Sequence, residues 1–203
     1  MDTAPDSSAA PRLAPMPLEG LDDDQRAVLK IVAEGRRTTE SSALHDEQGG
    51  LVGPFNSFLY RPVVGRHLAE LGELVRFDSP LPRRLIEVAV LTVGAHWQAN
   101  FEWWAHARLA SRFEVADEVI EAIGRGEQPV FPRDDERVVH RFSRQLLDNC
   151  RADDEAYAAA RELLGDAGVV ELVSLIGYYC MIALILNAFR VPIPRGEEPR
   201  WPA

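Results

Sequence analysis

Two acidic side chains and one imidazole attract attention by where they fall. Glu102 and His106 are four residues apart in FEWWAHARLASRF, so on a helix their side chains share one face, one turn apart. A carboxylate beside an imidazole fixes its tautomer, raises its basicity and completes a two-step proton relay. The plainer reading of such a pair is a surface contact worth a few tenths of a kcal/mol. The neighbourhood argues for chemistry, because Trp97, Phe101, Trp103 and Trp104 crowd within a few residues. Aromatic walls around a carboxylate exclude water and raise its pKa, which suits a general acid or base.

Glu87 is the second oddity. It interrupts LIEVAVLTV, a run that is otherwise almost wholly apolar. A carboxylate there faces the core unless the helix has a wet stripe at that point, and buried carboxylates are costly unless paired. Either it serves a site, or it forms a structural ion pair with Arg83 or Arg84 one turn before it. His96 closes the same segment. Glu87, His96, Glu102 and His106 could be drawn as a metal set, but Glu102-x-x-x-His106 is a weak ligand signal and H-E-x-x-H is absent. The reading carries no metal and no cofactor.

The elements that must hold these residues are helical throughout. Asp22–Asp24 precede AVLKIVAEG, with acids where a first turn prefers them. Pro62 opens a helix through VVGRHLAELGELVRF, and Asn100 is placed to cap FEWWAHARLASRF. RRLIEVAVLTVGAHW, EVADEVIEAIGRG, DDERVVHRFSRQLLDNC, DDEAYAAARELLG and VVELVSLIGYYCMIALILNAF complete the series. No segment shows strand alternation bounded by hairpin turns, and there is no G-x-G-x-x-G, P-loop or fixed repeat. The expectation is an all-α, single-domain bundle of about six to eight helices. It runs over residues 21–192, between a flexible arm at 1–20 and a tail at 193–203. EGRRTTESSALHDEQGGLVGPFN is a long polar loop, of a length that is often functional.

Composition narrows the partners. A net charge of −10 over 203 residues speaks against nucleic acid and anionic membrane surfaces. Lys30 is the sole lysine, so a Schiff-base mechanism would have to use it. Cys150 and Cys180 are far apart and form no C-x-x-C, which fits a reducing, cytoplasmic compartment. The first twenty residues do not read as a secretory signal. The apolar stretch 169–189 carries Glu171, Ser174, Gly177 and Asn187, and reads as a helix buried in the core or at a subunit contact rather than a membrane span.

The run LPRRLIEVAVLTVGAHWQANFEWWAHARLA, with GPFNSFLYRP before it and VVELVSLIGYYCMIALILNAFRVPIP after it, resembles the carboxymuconolactone decarboxylase-like superfamily, which includes the alkyl hydroperoxidase D branch. The match lies in Arg84 and Glu87 and in Phe101, Glu102, Trp103 and His106. The resemblance implies a bundle of about six helices in trimers or hexamers, with a dimer as the alternative, and active sites near subunit contacts. Peroxidase members place C-x-x-C just ahead of the histidine. Here those positions are Ala99 and Glu102, so the disulfide cycle that reduces peroxides has no thiols there. What carries over is an acid–base site, since Glu87 and His106 match the glutamate and histidine of the proton relay.

The leading expectation is therefore a cofactor-free lyase or isomerase acting on a small oxygenated organic acid or lactone. His106 is the shuttle, oriented by Glu102, and Glu87 holds a second proton or orients His106. Phe55, Asn56, His96, Trp97 and Trp103 line the substrate site, and Arg84 binds a substrate carboxylate. The alternative is a non-catalytic oligomeric or small-molecule-binding protein, with thiol-dependent hydroperoxide reduction behind it.

Overall fold

The computed structural model describes residues 10–36, 45 and 50–202. Among them the chain forms eight α-helices and no strand, with a single isolated bridge between His45 and Leu51. The contacts fall into two compact units, Met1–Asp78 with Ile185–Ala203, and Ser79–Leu184.

In the first unit α1 (Asp23–Glu34) opens on a capping box. The Asp22 side chain accepts the Gln25 N–H, and the Gln25 side chain accepts the Asp22 N–H, satisfying two donors that a helix start leaves open. Val28 and Val32, one turn apart, are its buried face. After α2 (Phe55–Tyr60), Pro62 stands at the first position of α3 (Pro62–Glu73), which continues into a π-helical turn over Leu74–Asp78. Gly65 is required where α3 crosses α2, because a Cβ there would lie 2.3 Å from the Phe58 carbonyl oxygen. Most of the long polar loop, residues 37–44 and 46–49, lies outside the described residues, as do residues 1–9.

The rest of the N-terminal arm is held down rather than loose. The Arg12 N–H donates to the Phe189 carbonyl at 2.9 Å and its guanidinium to the Ala188 carbonyl at 2.8 Å. The Asn56 amide accepts the Met16 N–H at 2.9 Å and donates to the Ala14 carbonyl at 2.9 Å, where the Tyr60 hydroxyl also donates. A proline-rich extended segment has backbone groups that no helix satisfies, and these side chains take them up.

The second unit is built on α4 (Arg83–His96), whose ten residues from Leu85 to Gly94 are all buried. A helix apolar on all sides must be covered, and α5 (Asn100–Arg112), α6 (Asp117–Gly124) and α7 (Asp134–Asn149) pack on it. Asn100 is not the cap of α5. The Trp103 N–H reaches back to the Ala99 carbonyl at 2.9 Å, so the ladder starts one residue earlier and Ala99 takes the cap position. The long α8 (Asp154–Ala188) breaks at Gly165, where φ 69° and ψ 172° suit only glycine. This is the junction between the two helices read in the sequence. Beyond it α8 is long and apolar enough to cross a membrane by length and composition. Leu172, Leu175, Ile176 and Ile182 are nonetheless buried against protein, while Val170, Val173 and Leu184 are exposed.

Candidate active site

Glu87 reaches the interior because α4 has no wet side in its middle turns. Its carboxyl is fully buried, and its Oε2 forms a 2.7 Å hydrogen bond with Nδ1 of His106 on α5, itself 5% exposed. Arg83, one turn before Glu87, places its guanidinium 3.6 Å from Glu87 Oε1 while lying over the Phe113 ring. Tyr179 of α8 packs edge-on against the imidazole, ring centres 5.0 Å apart, and Tyr178 packs on Tyr179 in turn. A carboxylate on Nδ1 fixes the ring's orientation and leaves Nε2 as the atom that can exchange protons.

Glu102 behaves differently. It is 3% exposed, and neither carboxyl oxygen has a hydrogen-bond partner among the described residues. It sits in the first turn of α5 and lies over Gly94 of α4. A first-turn position favours the ionised form by about 1 kcal/mol or less, while desolvation of a fully buried group opposes it by up to several pKa units. Burial prevails, and the carboxyl is held well above its ordinary value of 4.5. The site thus contains one carboxyl bonded to the imidazole and a second in a dry position that favours its acid form.

The spacing argument joined His106 to Glu102. The structure joins it to Glu87, with the imidazole turned toward α4, while Glu102 lies one turn earlier on α5, over Gly94. Arg84 is engaged elsewhere. Its guanidinium donates to both oxygens of Asp135, at 3.0 and 2.7 Å, and to Oε1 of the fully buried Glu136 at 2.7 Å. It pins α4 to α7. Half-buried His96 lies 3.3 Å from Asp148 and edge-on to Trp97, and Trp103 is buried. Phe55 and Asn56 belong to the first unit, where Asn56 holds the arm.

The sequence reading missed a second buried polar pair. Glu136 and His140 sit one turn apart on α7, and burial pushes the His140 imidazole down to about 4, with Arg144 adding to the fall and Asp148 opposing it. The i, i+4 spacing in DDERVVHRF was the available signal. Cys180 is half-buried on α8. Burial pushes its thiol up, a hydrogen bond from Trp97 opposes that, and the Glu102 carboxyl adds to the rise. Cys150 is exposed at the end of α7, and both cysteines are free. Among the described residues no three His, Cys, Asp or Glu side chains gather as a metal set.

No family model matches the sequence, and no curated protein sequence does. Solved structures match at low identity. An alkylhydroperoxidase core from Ralstonia eutropha, an uncharacterized peroxidase-related protein, is 16% identical with a TM-score of 0.71, covering 95% of this chain and 98% of that one. A peroxidase-related protein from Silicibacter is 12% identical at a TM-score of 0.68, covering 91% and 92%. The debrominase Bmp8, solved with 2,3,4-tribromopyrrole, is 13% identical at 0.65, covering 94% and 95%. The chain has the alkyl hydroperoxidase D-like helical fold, in agreement with the resemblance its motifs carry to the carboxymuconolactone decarboxylase-like superfamily. Within this fold the candidate site carries glutamate rather than a thiol at position 102.

Proposed function

We propose that the protein is a cofactor-free acid–base enzyme that decarboxylates, isomerises or opens a small oxygenated organic acid or lactone. The observation that carries this reading is the buried 2.7 Å Glu87–His106 bond, with a second buried carboxyl, one turn before His106 on α5, held well above its ordinary range. Enolate-forming reactions need one group to take a proton and another to return it, and two environments that push two acids apart supply both. His106 Nε2 is the shuttle, Glu87 positions the ring, and Glu102 is the acid. Arg83, 24% exposed at its side chain, replaces Arg84 as the guanidinium for a substrate carboxylate. The debrominase with its bromopyrrole supports the idea that this fold can accommodate a small unsaturated molecule. Exposed Val170, Val173 and Leu184 on α8 support assembly with further copies of the chain.

The test is incubation in deuterated water with unsaturated acids, β-oxo acids and lactones. Mass spectrometry follows loss of carbon dioxide and uptake of deuterium. Glu87→Gln, Glu102→Gln and His106→Ala should each abolish conversion of a substrate the wild type turns over. Conversion surviving all three substitutions would end the proposal.

A further inference from the structure

A ring held by one hydrogen bond keeps some freedom. The Glu87 bond engages the His106 imidazole at Nδ1, but the ring can still rock about that bond and carry Nε2 with it. A second helix meets the same ring. Tyr178 and Tyr179 are consecutive on α8, so their side chains leave the helix about 100° apart, and both are buried. The Tyr179 ring stands at 87° to the imidazole with centres 5.0 Å apart. The Tyr178 ring stands at 89° to Tyr179 with centres 5.4 Å apart. Perpendicular contact at such distances is a favoured geometry for aromatic pairs. Three rings from two helices therefore form a row that ends on the candidate proton shuttle.

We propose that Tyr179, backed by Tyr178, is a positioning residue for His106, its ring blocking rotation of the imidazole and so fixing the direction of Nε2. The proposal rests on the acid–base reading of the site, in which Nε2 exchanges protons. Glu87 sets which nitrogen is left for chemistry, and Tyr179 sets where that nitrogen points. Direction matters because a misplacement of about 1 Å at a reacting group can cost about a hundredfold in rate. To turn, the imidazole must give up its bond to a buried carboxyl and displace the Tyr179 ring in the same movement. The two restraints come from α4 and α8, while the imidazole belongs to α5. The role is carried by the aromatic ring of Tyr179, and its hydroxyl neither takes nor gives a proton in it.

Proton NMR of the protein with labelled histidine reads how fast the His106 Nδ1 proton exchanges with water, which requires the ring to leave Glu87. Tyr179→Leu keeps apolar cover but removes the ring. It should speed this exchange about fivefold, the weight of one perpendicular pair, with the α4 backbone amides exchanging as in the wild type. Tyr179→Phe keeps the ring and should keep the wild-type rate. Tyr178→Leu should speed exchange by a smaller factor, and it carries the test if Tyr179→Leu does not fold. No change in Tyr179→Leu would overturn the proposal, as would no change in Tyr178→Leu where that variant stands in. A phenylalanine variant as fast as the leucine one would place the effect in the hydroxyl and overturn it too. So would α4 amides that speed up in step with the ring, since Tyr179 would then only support the fold. Failure of the acid–base reading looks different, as an Nδ1 proton that Glu87→Gln leaves untouched. An Nδ1 proton lost in Glu87→Gln but indifferent to both tyrosines would remove the positioning role alone.

Discussion

Replacing Glu102 with glutamine should stabilise the protein, and by an amount that depends on pH in a defined direction. The carboxyl is buried, has no hydrogen-bond partner among the described residues, and is held well above its ordinary 4.5 by desolvation. The folded protein therefore keeps this proton to higher pH than the unfolded chain does. Between 4.5 and the folded value the folded state binds more protons, so stability falls as pH rises through that window and stays low above it. Glutamine matches the shape of the neutral acid and never ionises. The two proteins should have similar stability near pH 4.5 and then diverge, the variant gaining about 1.4 kcal/mol per pH unit until the folded pKa is passed. For a chain of this size that is about 4 °C in Tm per pH unit. The assay is thermal unfolding of both proteins side by side from pH 4 to 8, below the range where Cys180 titrates. Other groups cancel in the difference. A difference that is flat with pH, or one in which the wild type gains on the variant as pH rises, would refute the placement of Glu102.

Other perturbations have equally definite outcomes. His106→Ala removes the 2.7 Å partner of the buried Glu87 carboxyl, with Arg83 at 3.6 Å, and should cost about 3 kcal/mol by urea unfolding. Arg84→Ala strips the bidentate partner from Asp135 and the close partner from buried Glu136. It should cost a similar amount, about 3 kcal/mol, while leaving KM for any substrate unchanged, because Arg84 belongs to the α4–α7 contact. His140 is depressed from 6.5 to about 4, so its contribution is complete above 6.5 and is lost as pH falls through 4. That loss is about 3 kcal/mol, and His140→Gln should flatten the acid limb of the stability curve over that window.

Much of this was legible in the residues. The interrupted apolar run placed Glu87 inside, because a helix with ten consecutive core positions offers a carboxylate no route to water. The Gly165 break and the Pro62 start follow from backbone constraints that any sequence must obey. The pairing of His106 was not legible, since i, i+4 spacing says which residues share a face and not which neighbouring helix the ring turns toward. Arg84 went to α7 rather than a substrate because Asp135 and Glu136 lie about fifty residues away along the chain, beyond any local pattern. Cys180 was hidden for the same reason. Trp97 and Glu102, the groups acting on its thiol, lie far from it along the chain.

The central claim is that Glu87 holds the His106 ring so that Nε2 moves protons. Nitrogen NMR of the labelled protein tests it by reporting the protonation of each ring nitrogen of His106. The account predicts a proton on Nδ1, strongly deshielded by its 2.7 Å bond to Glu87 and lost from that position in Glu87→Gln. A neutral ring protonated at Nε2, unchanged by Glu87→Gln, would contradict it.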